Sequence, residues 1–339
     1  MTSLNDIRKI LDNPDPRLTE QLAQQSAALT RQYFGRTIAL YAPVYLSNYC
    51  SSHCTYCGFH SKNNIKRARL TPEQTEKEMR TLAQTGIENV LLLTGESYKA
   101  TPVSYLKEAV VIAKKYFTGI SIEVYPMEVQ EYRELFEAGV DGVTVYQETY
   151  LRERYKEVHL EGKKSDYDYR YGTPERAGQA GVRQISIGIL LGLSDDVAQD
   201  LHLLYEHLQF MEKNYPGVEY SVSFPRIRTI KGREFALSLV DDAAFIKIIC
   251  LTRIHFPRVG INLSTRERPE IRDRAIHLGV TKMSAGSSTA VGGYEILEKT
   301  QQEPQFDISD HRSLNEIIAM LKTQNFDPVL TDWRPINNK

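Results

Sequence analysis

Three closely spaced cysteines, Cys50, Cys54 and Cys57, are the residues of this chain best suited to metal chemistry. They follow an apolar and aromatic run at residues 38–46 that predicts a β-strand, so they occupy the loop at its carboxyl end. Thiolates are the usual ligands of iron–sulfur clusters. Three thiolates hold three irons of a four-iron cluster and leave the fourth iron open to bind a small molecule. The spacing therefore favours a reactive cluster, because a closed electron carrier needs four ligands.

A structural zinc site is the alternative interpretation of the same cysteines. Zinc takes four ligands, and His53 or His60 could provide the fourth. Short cysteine spacings are common in zinc sites, so the spacing alone leaves both interpretations open. The remaining cysteine, Cys250, lies in an apolar helical segment and is predicted to be a buried core residue and not a ligand.

The CxxxCxxC pattern resembles the radical S-adenosylmethionine (SAM) superfamily. In that superfamily the amino and carboxylate groups of SAM bind the fourth iron. An aromatic residue precedes the third cysteine there, as Tyr56 does here, which assigns Tyr56 to the cofactor site. The resemblance implies a 4Fe-4S cluster and S-adenosyl-L-methionine as cofactors.

Polar residues at the ends of two further predicted strands are candidates for binding SAM. Thr94, Gly95 and Glu96 follow an aliphatic run, and a glycine there permits close approach to the backbone. They resemble the radical SAM element that holds the SAM ammonium; a surface turn is the alternative. Glu148 ends another buried strand, where a carboxylate needs a partner. Ribose hydroxyls would provide one, and an ion pair with a nearby arginine is the alternative.

Arginines near other strand ends are candidates for binding carboxylates. A guanidinium forks onto a carboxylate, so Arg170 or Arg176 is predicted to bind the SAM carboxylate, with Arg170 preferred. Arg266 follows one strand, and Ser284 ends the next at a hydroxyl-rich loop. These two residues are predicted to hold a substrate carboxylate through the guanidinium and a hydroxyl. A surface ion pair between Arg266 and Glu267 is the alternative.

Strands and helices alternate along the chain, and this alternation predicts how the candidate residues meet. Short β-branched and aliphatic runs, typical of buried parallel strands, predict strands at residues 37–46, 89–94, 119–124, 142–146, 184–190, 219–224, 260–264 and 280–284. Helical stretches follow the first seven. Eight β/α units over about 250 residues predict a closed (β/α)8 barrel of the TIM type, whose active sites lie at the carboxyl ends of the strands. A doubly wound sheet is the alternative.

Shorter segments flank the predicted barrel. Residues 1–36 are predicted to be helical, residues 37–294 to form the barrel, and residues 295–339 to be a C-terminal extension packed on it. The 339-residue chain has a formal net charge of -1, which argues against binding to nucleic acid or anionic membranes. No apolar run approaches the length that spans a bilayer, and no signal pattern is visible. A small number of cysteines, most of them clustered, is typical of a protein of the reducing cytoplasm.

Further stretches together resemble a narrower family, the radical SAM aromatic amino-acid lyases, and within it the tyrosine lyases of thiamine biosynthesis. The stretches read YLSNYC running into CTYCGF, NIKR, LLTGE, VYQETY, GKK, YSVSFPR, LSTRE and GGY. They span residues 37 to about 294, nearly the whole predicted barrel. The cysteine spacing identifies only the superfamily, whereas the joint set is specific to this branch.

The resemblance implies a complete activity. An electron donor of the flavodoxin or ferredoxin type reduces the cluster, which cleaves SAM to methionine and a 5'-deoxyadenosyl radical. The radical takes a hydrogen atom from the amino group of L-tyrosine, and the Cα–Cβ bond breaks to give 2-iminoacetate (dehydroglycine) and p-cresol. The imine passes to thiazole synthase, the implied protein partner.

Two relatives within the branch and one unrelated class are alternatives. Hydrogenase-maturation tyrosine lyases carry an extra C-terminal cysteine cluster, and this sequence has no cysteine after Cys250, so that role is not expected. Tryptophan lyases share the barrel and differ in the side-chain pocket, which the sequence does not reveal. A non-catalytic zinc-binding scaffold is the alternative from another class, and a colourless purified protein would indicate it.

Overall fold

Eight parallel strands close into a barrel in the computed structural model, which describes residues 3–227, 240–295 and 303–331. Within these ranges the strands are β1 (Thr37–Ser47), β2 (His53–Cys54), β3 (Asn89–Thr94), β4 (Gly119–Glu123), β5 (Gly142–Glu148), β6 (His159–Glu161), β7 (Gln184–Ile189), β8 (Glu219–Ser223), β9 (Gly260–Leu263), β10 (Lys282–Ser284) and β11 (Asp327–Val329). The barrel order is β1-β3-β4-β5-β7-β8-β9-β10, and β10 pairs with β1 to close it. The predicted (β/α)8 barrel is confirmed.

The barrel closes at β1, which pairs with a different strand on each side. Tyr41 of β1 is opposite Ser284 of β10, and Ala42 is opposite Val90 of β3. Each barrel strand overlaps one run predicted from the sequence. The reason is burial on both faces, which selects continuous aliphatic and β-branched residues. In β3, for example, every residue except Thr94 is buried.

Helices surround the barrel, and several begin at residues that cap the first turn. Within the described ranges they are α1 (Leu4–Asp12), α2 (Pro16–Phe34), α3 (Pro72–Ala83), α4 (Val103–Ala113), α5 (Val129–Ala138), α6 (Arg152–Val158), α7 (Tyr167–Tyr171), α8 (Thr173–Gln179), α9 (Val197–Asn214), α10 (Asp242–His255), α11 (Pro269–Ala275) and α12 (Leu314–Thr323). The Thr71 hydroxyl accepts the Gln74 amide at the start of α3, which satisfies an amide that lacks a helical partner. Among the helices of the described ranges, none has the length and apolar character needed to cross a membrane.

The N-terminal helices lie outside the barrel and pack against α10. Ile7 of α1 is fully buried, and Lys247 of α10 donates to the carbonyl oxygen of Leu11 at 3.1 Å. Ser26 of α2 donates to the carbonyl oxygen of Leu278. Cys250 is fully buried in α10, as its apolar neighbours predicted.

The C-terminal segment contacts the barrel at both of its ends. At the end of the barrel where the strands begin, β11 pairs in parallel with β1, with Thr37 opposite Asp327. This strand was not among those predicted from the sequence. At the end of the barrel where the strands finish, the backbone amide of Gln305 donates to the carbonyl oxygen of Thr289 at 2.9 Å. The Thr289 hydroxyl donates to the carbonyl oxygen of Phe306 at 2.8 Å. The segment therefore covers part of the face where the candidate residues lie.

A buried ion pair joins α11 to the same segment. The side chains of Arg272 and Asp310 form it, and both are fully buried. Asp310 also accepts a hydrogen bond from Arg312 at 2.6 Å, and Arg272 donates to the carbonyl oxygen of Ser284. The pair therefore connects the C-terminal segment to the end of β10.

We expect Asp310→Ala to destabilise the protein strongly. The substitution leaves the buried Arg272 guanidinium without its closest counter-charge, and breaking such a pair lowers the free energy of unfolding by about 3–5 kcal/mol. Denaturant titration followed by circular dichroism measures the change. Asp307→Ala removes an exposed carboxylate from the same segment and should change the free energy by less than about 0.5 kcal/mol. Equal effects of the two substitutions would contradict a stabilising role for the ion pair.

Candidate active site

A cavity opens at the carboxyl ends of the barrel strands and contains nearly all the predicted site residues. It encloses about 1390 Å³, counting its open mouth. The predicted residues that line it are Cys50, Cys54, Cys57, Tyr56, Thr94, Gly95, Glu96, Glu148, Arg170, Arg266 and Ser284. Arg176 is the one predicted residue that does not. Residues far apart in sequence share the cavity because a closed barrel brings all its strand ends to one face.

Hydrogen bonds hold the cysteine loop against the strand ends. Within the loop, β2 pairs antiparallel with β6, and the Ser51 amide donates to the carbonyl oxygen of Glu96 at 2.9 Å. The Arg67 guanidinium donates at 2.7–3.0 Å to carbonyl oxygens on both sides of the cysteines, those of Asn48, Phe59, His60 and Asn63. One cation thereby organises both ends of the loop.

The thiols and their neighbours suit a metal cluster. Burial raises the pKa of Cys50 to about 11 and the pKa of Cys54 well above its usual value, so metal binding must displace the thiol protons. Amide groups already face two of the sulfurs. The Ser52 amide donates to Cys50 Sγ at 3.4 Å, and Gln305 Nε2 donates to Cys57 Sγ at 3.7 Å. Hydrogen bonds to cluster sulfurs are one way in which proteins tune such clusters.

The structure does not assemble the alternative zinc site. His53 and His60, the candidate fourth ligands, stack on each other with ring centroids 4.9 Å apart. Neither ring lines the cavity that the thiols border.

Thr94, Gly95 and Glu96 end β3 against the cysteine loop. A Cβ on Gly95 would lie 2.4 Å from the carbonyl oxygen of Tyr49, so the close approach of the loop requires glycine. Glu96 Oε1 accepts from Arg170 at 2.7 Å. Glu96 Oε2 and Thr94 Oγ1 are buried without a hydrogen-bond partner. Unpartnered buried acceptors need an explanation, and an ammonium ligand would satisfy both.

The two candidate arginines occupy different places. Arg170 is buried, and it donates to Glu96 and to a backbone carbonyl of β5. Arg176 donates to the carbonyl oxygens of Met127 at 2.8 Å and Tyr169 at 2.7 Å. Its guanidinium also lies over the Tyr169 ring, 4.1 Å from the centroid. The structure therefore brings Arg170, and not Arg176, to the cavity.

Glu148 faces the cavity from an irregular end of β5. Its φ of 72° is uncommon for a residue with a side chain, and the pairing of β5 with β7 shifts register there. Its carboxylate accepts from Lys164 Nζ at 2.8 Å. Burial alone would raise the pKa of Glu148, but the charges of Lys164 and Arg170 outweigh burial and hold the pKa below its usual value. Glu148 is therefore ionised, and its partner is a lysine and not an arginine.

Tyr56 is fixed by a buried histidine. Its hydroxyl lies 2.7 Å from His159 Nε2, and His159 Nδ1 lies 2.9 Å from the carbonyl oxygen of Tyr155. A carbonyl only accepts, so Nδ1 carries the proton and Nε2 accepts the Tyr56 hydroxyl. Burial, together with the charges of Lys164 and Arg170, lowers the pKa of His159 to about 2. The neutral histidine thereby holds the tyrosine beside the third cysteine.

Arg266 and Ser284 lie together on the wall formed by the ends of β9 and β10. Ser284 is buried, and the Arg266 guanidinium lies 3.5 Å from the centroid of the Phe306 ring. Such stacking fixes the plane of a guanidinium. Glu267 does not pair with Arg266, because it binds Arg226, which follows the neighbouring strand β8. The alternative of a surface pair between Arg266 and Glu267 is wrong.

Several residues that border the cavity were not among the sequence candidates. They are Glu123 at the end of β4, Lys164 after β6, and Gln305 and Phe306 from the C-terminal segment. The position of Glu123 at the end of an aliphatic strand was a usable signal, as it was for Glu148. No local pattern marks Phe306, because only the folded chain brings that segment to the cavity.

Comparisons with known proteins agree with this geometry. The model of the radical SAM superfamily matches residues 44–205, and that of the biotin and thiamin synthesis associated domain matches residues 223–327. The 2-iminoacetate synthase of Escherichia coli (strain K12) is 39% identical over 97% of this chain and 87% of that protein. The 2-iminoacetate synthase of Salmonella typhimurium is 38% identical over 98% of this chain and 87% of that protein.

Solved structures share the same fold. The FeFe-hydrogenase maturase HydG from Carboxydothermus hydrogenoformans superposes with a TM-score of 0.90 at 33% identity. The match covers 97% of this chain and 76% of that one. The barrel and the segments packed on it are therefore common to both proteins.

We expect Gly95→Ala to displace the cysteine loop. Because the added Cβ would lie 2.4 Å from the Tyr49 carbonyl oxygen and 3.1 Å from Cys50 Cβ, the loop must shift. Loss of such supporting contacts weakens metal binding on the order of 10- to 100-fold. Iron content after anaerobic reconstitution measures the effect. Gly217→Ala is the matched control, because a Cβ there meets nothing within 4 Å. Full iron loading of Gly95→Ala would show that the loop tolerates the displacement.

Proposed function

The chain belongs to the 2-iminoacetate synthase family of radical SAM enzymes, and we propose that it cleaves the Cα–Cβ bond of L-tyrosine. The products are 2-iminoacetate and p-cresol, and the imine serves thiazole formation in thiamine biosynthesis. The family uses a 4Fe-4S cluster and SAM, which when bound supply the 5'-deoxyadenosyl radical that takes a hydrogen atom from the substrate. Binding, orientation and exclusion of water are the tasks of the residues in the cavity.

One observation carries this proposal. Three cysteines, a buried glutamate–arginine pair and a further arginine on another wall all border the same cavity. A radical reacts with whichever group lies nearest to it. The groups that bind the cofactors and the substrate therefore need to share one enclosed space. The cavity provides that space at the carboxyl ends of the strands.

The wall that includes the cysteine loop serves the cofactors. Cys50, Cys54 and Cys57 bind the cluster as thiolates. Thr94 and Glu96 accept hydrogen bonds from the SAM ammonium, which their unpartnered oxygens support. Gly95 keeps this element close to the cysteine loop.

Other residues hold the remaining parts of SAM. Arg170 donates to the SAM carboxylate from beside Glu96, and Glu148 accepts from the ribose hydroxyls. The Tyr56 ring borders the same space. Arg176 acts through other residues. It donates to the carbonyl of Tyr169, next to Arg170 in α7, and thereby positions the helix that carries Arg170.

The opposite wall holds the substrate. Arg266 binds the tyrosine carboxylate through two parallel hydrogen bonds, and Ser284 adds a hydroxyl beside it. Phe306 stacks on the Arg266 guanidinium and limits its orientations. A carboxylate fixed at two points orients the amino group of the substrate toward the cofactor wall.

The chemistry implies two protein partners. Residues 37–72 contain the three cluster cysteines and no Asp or Glu, and Lys66 and Arg69 are exposed there. This positive surface suits an acidic electron donor of the flavodoxin or ferredoxin type. An imine is hydrolysed in water, so the product requires an acceptor such as thiazole synthase. Both partners, and the few free thiols, fit a protein of the cytoplasm.

The product assay tests the proposed function. Anaerobic incubation of the reconstituted protein with SAM, a chemical reductant and tyrosine should yield p-cresol and 2-iminoacetate, identified by mass. Tryptophan under the same conditions should yield no cleavage product. Cleavage of tryptophan in preference to tyrosine would instead identify a tryptophan lyase, and SAM cleavage without cleavage of either amino acid would reject both assignments.

We expect Arg266→Lys to uncouple SAM cleavage from tyrosine cleavage. Lysine keeps the charge but loses the planar fork, so the carboxylate is held at one point. A misplacement of about 1 Å can slow a reaction on the order of 100-fold. The variant should still form 5'-deoxyadenosine, with a lower yield of p-cresol per 5'-deoxyadenosine and weaker tyrosine binding.

A matched substitution and a milder one complete this test. Arg274→Lys changes an exposed arginine of α11 and should leave the product ratio unchanged. Ser284→Ala should lower the ratio less than Arg266→Lys does, because the guanidinium remains. A normal ratio with unchanged tyrosine affinity in Arg266→Lys would assign this arginine a structural role.

A further inference from the structure

Glu123 is a carboxylate in the cavity that the proposed mechanism does not yet use. It ends β4, lines the cavity and is half-buried. Among the described residues, the charges of Glu148, Lys164, Arg266 and Arg170 act on its carboxylate, and no hydrogen bond to it is found. A carboxylate that faces a cavity and lacks a partner in the protein can bind a ligand that brings a donor or a positive charge.

The other carboxylates of the cavity already have partners. Glu96 pairs with Arg170 at 2.7 Å, and Glu148 pairs with Lys164 at 2.8 Å. Glu123 is thus the unpaired carboxylate of the cavity lining, within the described part of the chain. An amino acid substrate brings one positive and one negative group. Its carboxylate is assigned to Arg266, and its ammonium needs a counter-charge.

The topology places Glu123 across the cavity from that arginine. In the barrel order, β4 is the third strand and β9, which precedes Arg266, is the seventh. Three strands lie between them in each direction around the eight-stranded barrel, so they stand on opposite walls. The two side chains influence each other electrostatically across the cavity. A zwitterion placed between them would meet a cation on one side and an anion on the other.

We infer that Glu123 binds the α-ammonium of the amino acid substrate and accepts one of its protons. The inference rests on the proposed function and adds the amine site to it. The proton moves from the substrate nitrogen to a Glu123 oxygen, and the nitrogen keeps the electron pair of the broken N–H bond. The amine that remains is neutral and still carries N–H bonds from which a hydrogen atom can be taken. No oxidant or reductant takes part in this proton transfer.

A hydrogen bond from the substrate phenol to Glu123 is the competing arrangement. The amine is favoured because it is charged and finds no other free carboxylate in the described lining. The phenol is neutral, and hydroxyl groups of Tyr41, Tyr146 and Ser223 line the cavity as possible partners for it. The two arrangements predict different responses to substrate analogues.

Two analogues separate the amine site from the carboxylate site. Tyramine lacks the carboxylate of tyrosine, and 3-(4-hydroxyphenyl)propanoate lacks the amine. Their equilibrium binding to the reconstituted protein with SAM is measured without turnover. In Glu123→Gln, affinity for tyrosine and tyramine should fall about 10- to 100-fold, the value of a hydrogen bond to a charged group. Affinity for the propanoate should stay within about twofold of wild type.

Arg266→Lys is the matched comparison and should show the reverse pattern. It should weaken binding of tyrosine and the propanoate and spare tyramine. Weaker binding of the propanoate by Glu123→Gln, together with lost discrimination between tyrosine and phenylalanine, would place the phenol at Glu123 and overturn the inference. Unchanged affinity for all three ligands would overturn it as well.

The pH dependence of wild-type binding provides a test that needs no variant. Burial raises the pKa of Glu123 to about 7; Glu148 adds to the rise, while Lys164, Arg266 and Arg170 oppose it. The titratable and charged groups that face Glu123 are Glu148, Lys164, Arg170, Arg266, Tyr41, Tyr45 and Tyr146. Burial raises the pKa values of the three tyrosines, that of Tyr41 to about 12, and Glu148 titrates below its usual value.

Glu123 is therefore the member of this group that changes charge near neutral pH. Its anionic form binds the ammonium, so tyramine affinity should rise about tenfold per pH unit up to about pH 7 and then level off. Propanoate affinity should not rise over that range. Tyramine binding that is independent of pH would reject the amine site. Failure of the proposed function has a different signature, namely wild-type protein that forms no p-cresol from tyrosine.

Discussion

Charges buried at the carboxyl end of the barrel need partners, and this requirement organises the cavity. Glu96 pairs with Arg170, and Glu148 pairs with Lys164. Each pair joins segments that are distant in the chain, and each leaves hydrogen-bonding capacity directed at the cavity. Removal of one partner would leave a buried charge uncompensated. The same pairs therefore stabilise the fold and prepare binding groups, and Glu123 stands out because the fold provides it with no such partner.

Close backbone packing imposes the second constraint. The cysteine loop lies between the end of β3 and the turn after β6, and glycine occupies both contact points. A Cβ on Gly95 would meet the Tyr49 carbonyl at 2.4 Å, and one on Gly162 would meet Ser52 Cα at 2.6 Å. Gly162 also has a φ of 86°, which disfavours other residues. A loop held from two sides keeps its thiols in place before any metal binds.

The C-terminal segment completes the cavity. Gln305 contacts the sulfur of Cys57, Phe306 stacks on Arg266, and Asp310 anchors the segment to Arg272. The segment thus contacts both the cofactor wall and the substrate wall. Enclosure of this kind strengthens the electrostatic interactions inside and limits side reactions of reactive intermediates.

The sequence by itself determined the eight strands, the cysteine loop and the strand-end residues Glu96, Glu148 and Arg266. Buried strands have continuous apolar runs, and a closed barrel brings the residues at their carboxyl ends to one face. Only the tertiary structure decided which of two arginines reaches the cavity, that Lys164 neutralises Glu148, and that Phe306 supports Arg266. These outcomes depend on contacts between segments distant in the chain, which no local pattern encodes. The unpaired state of Glu123 was decided there too, since whether a buried carboxylate has a partner is a property of the folded chain.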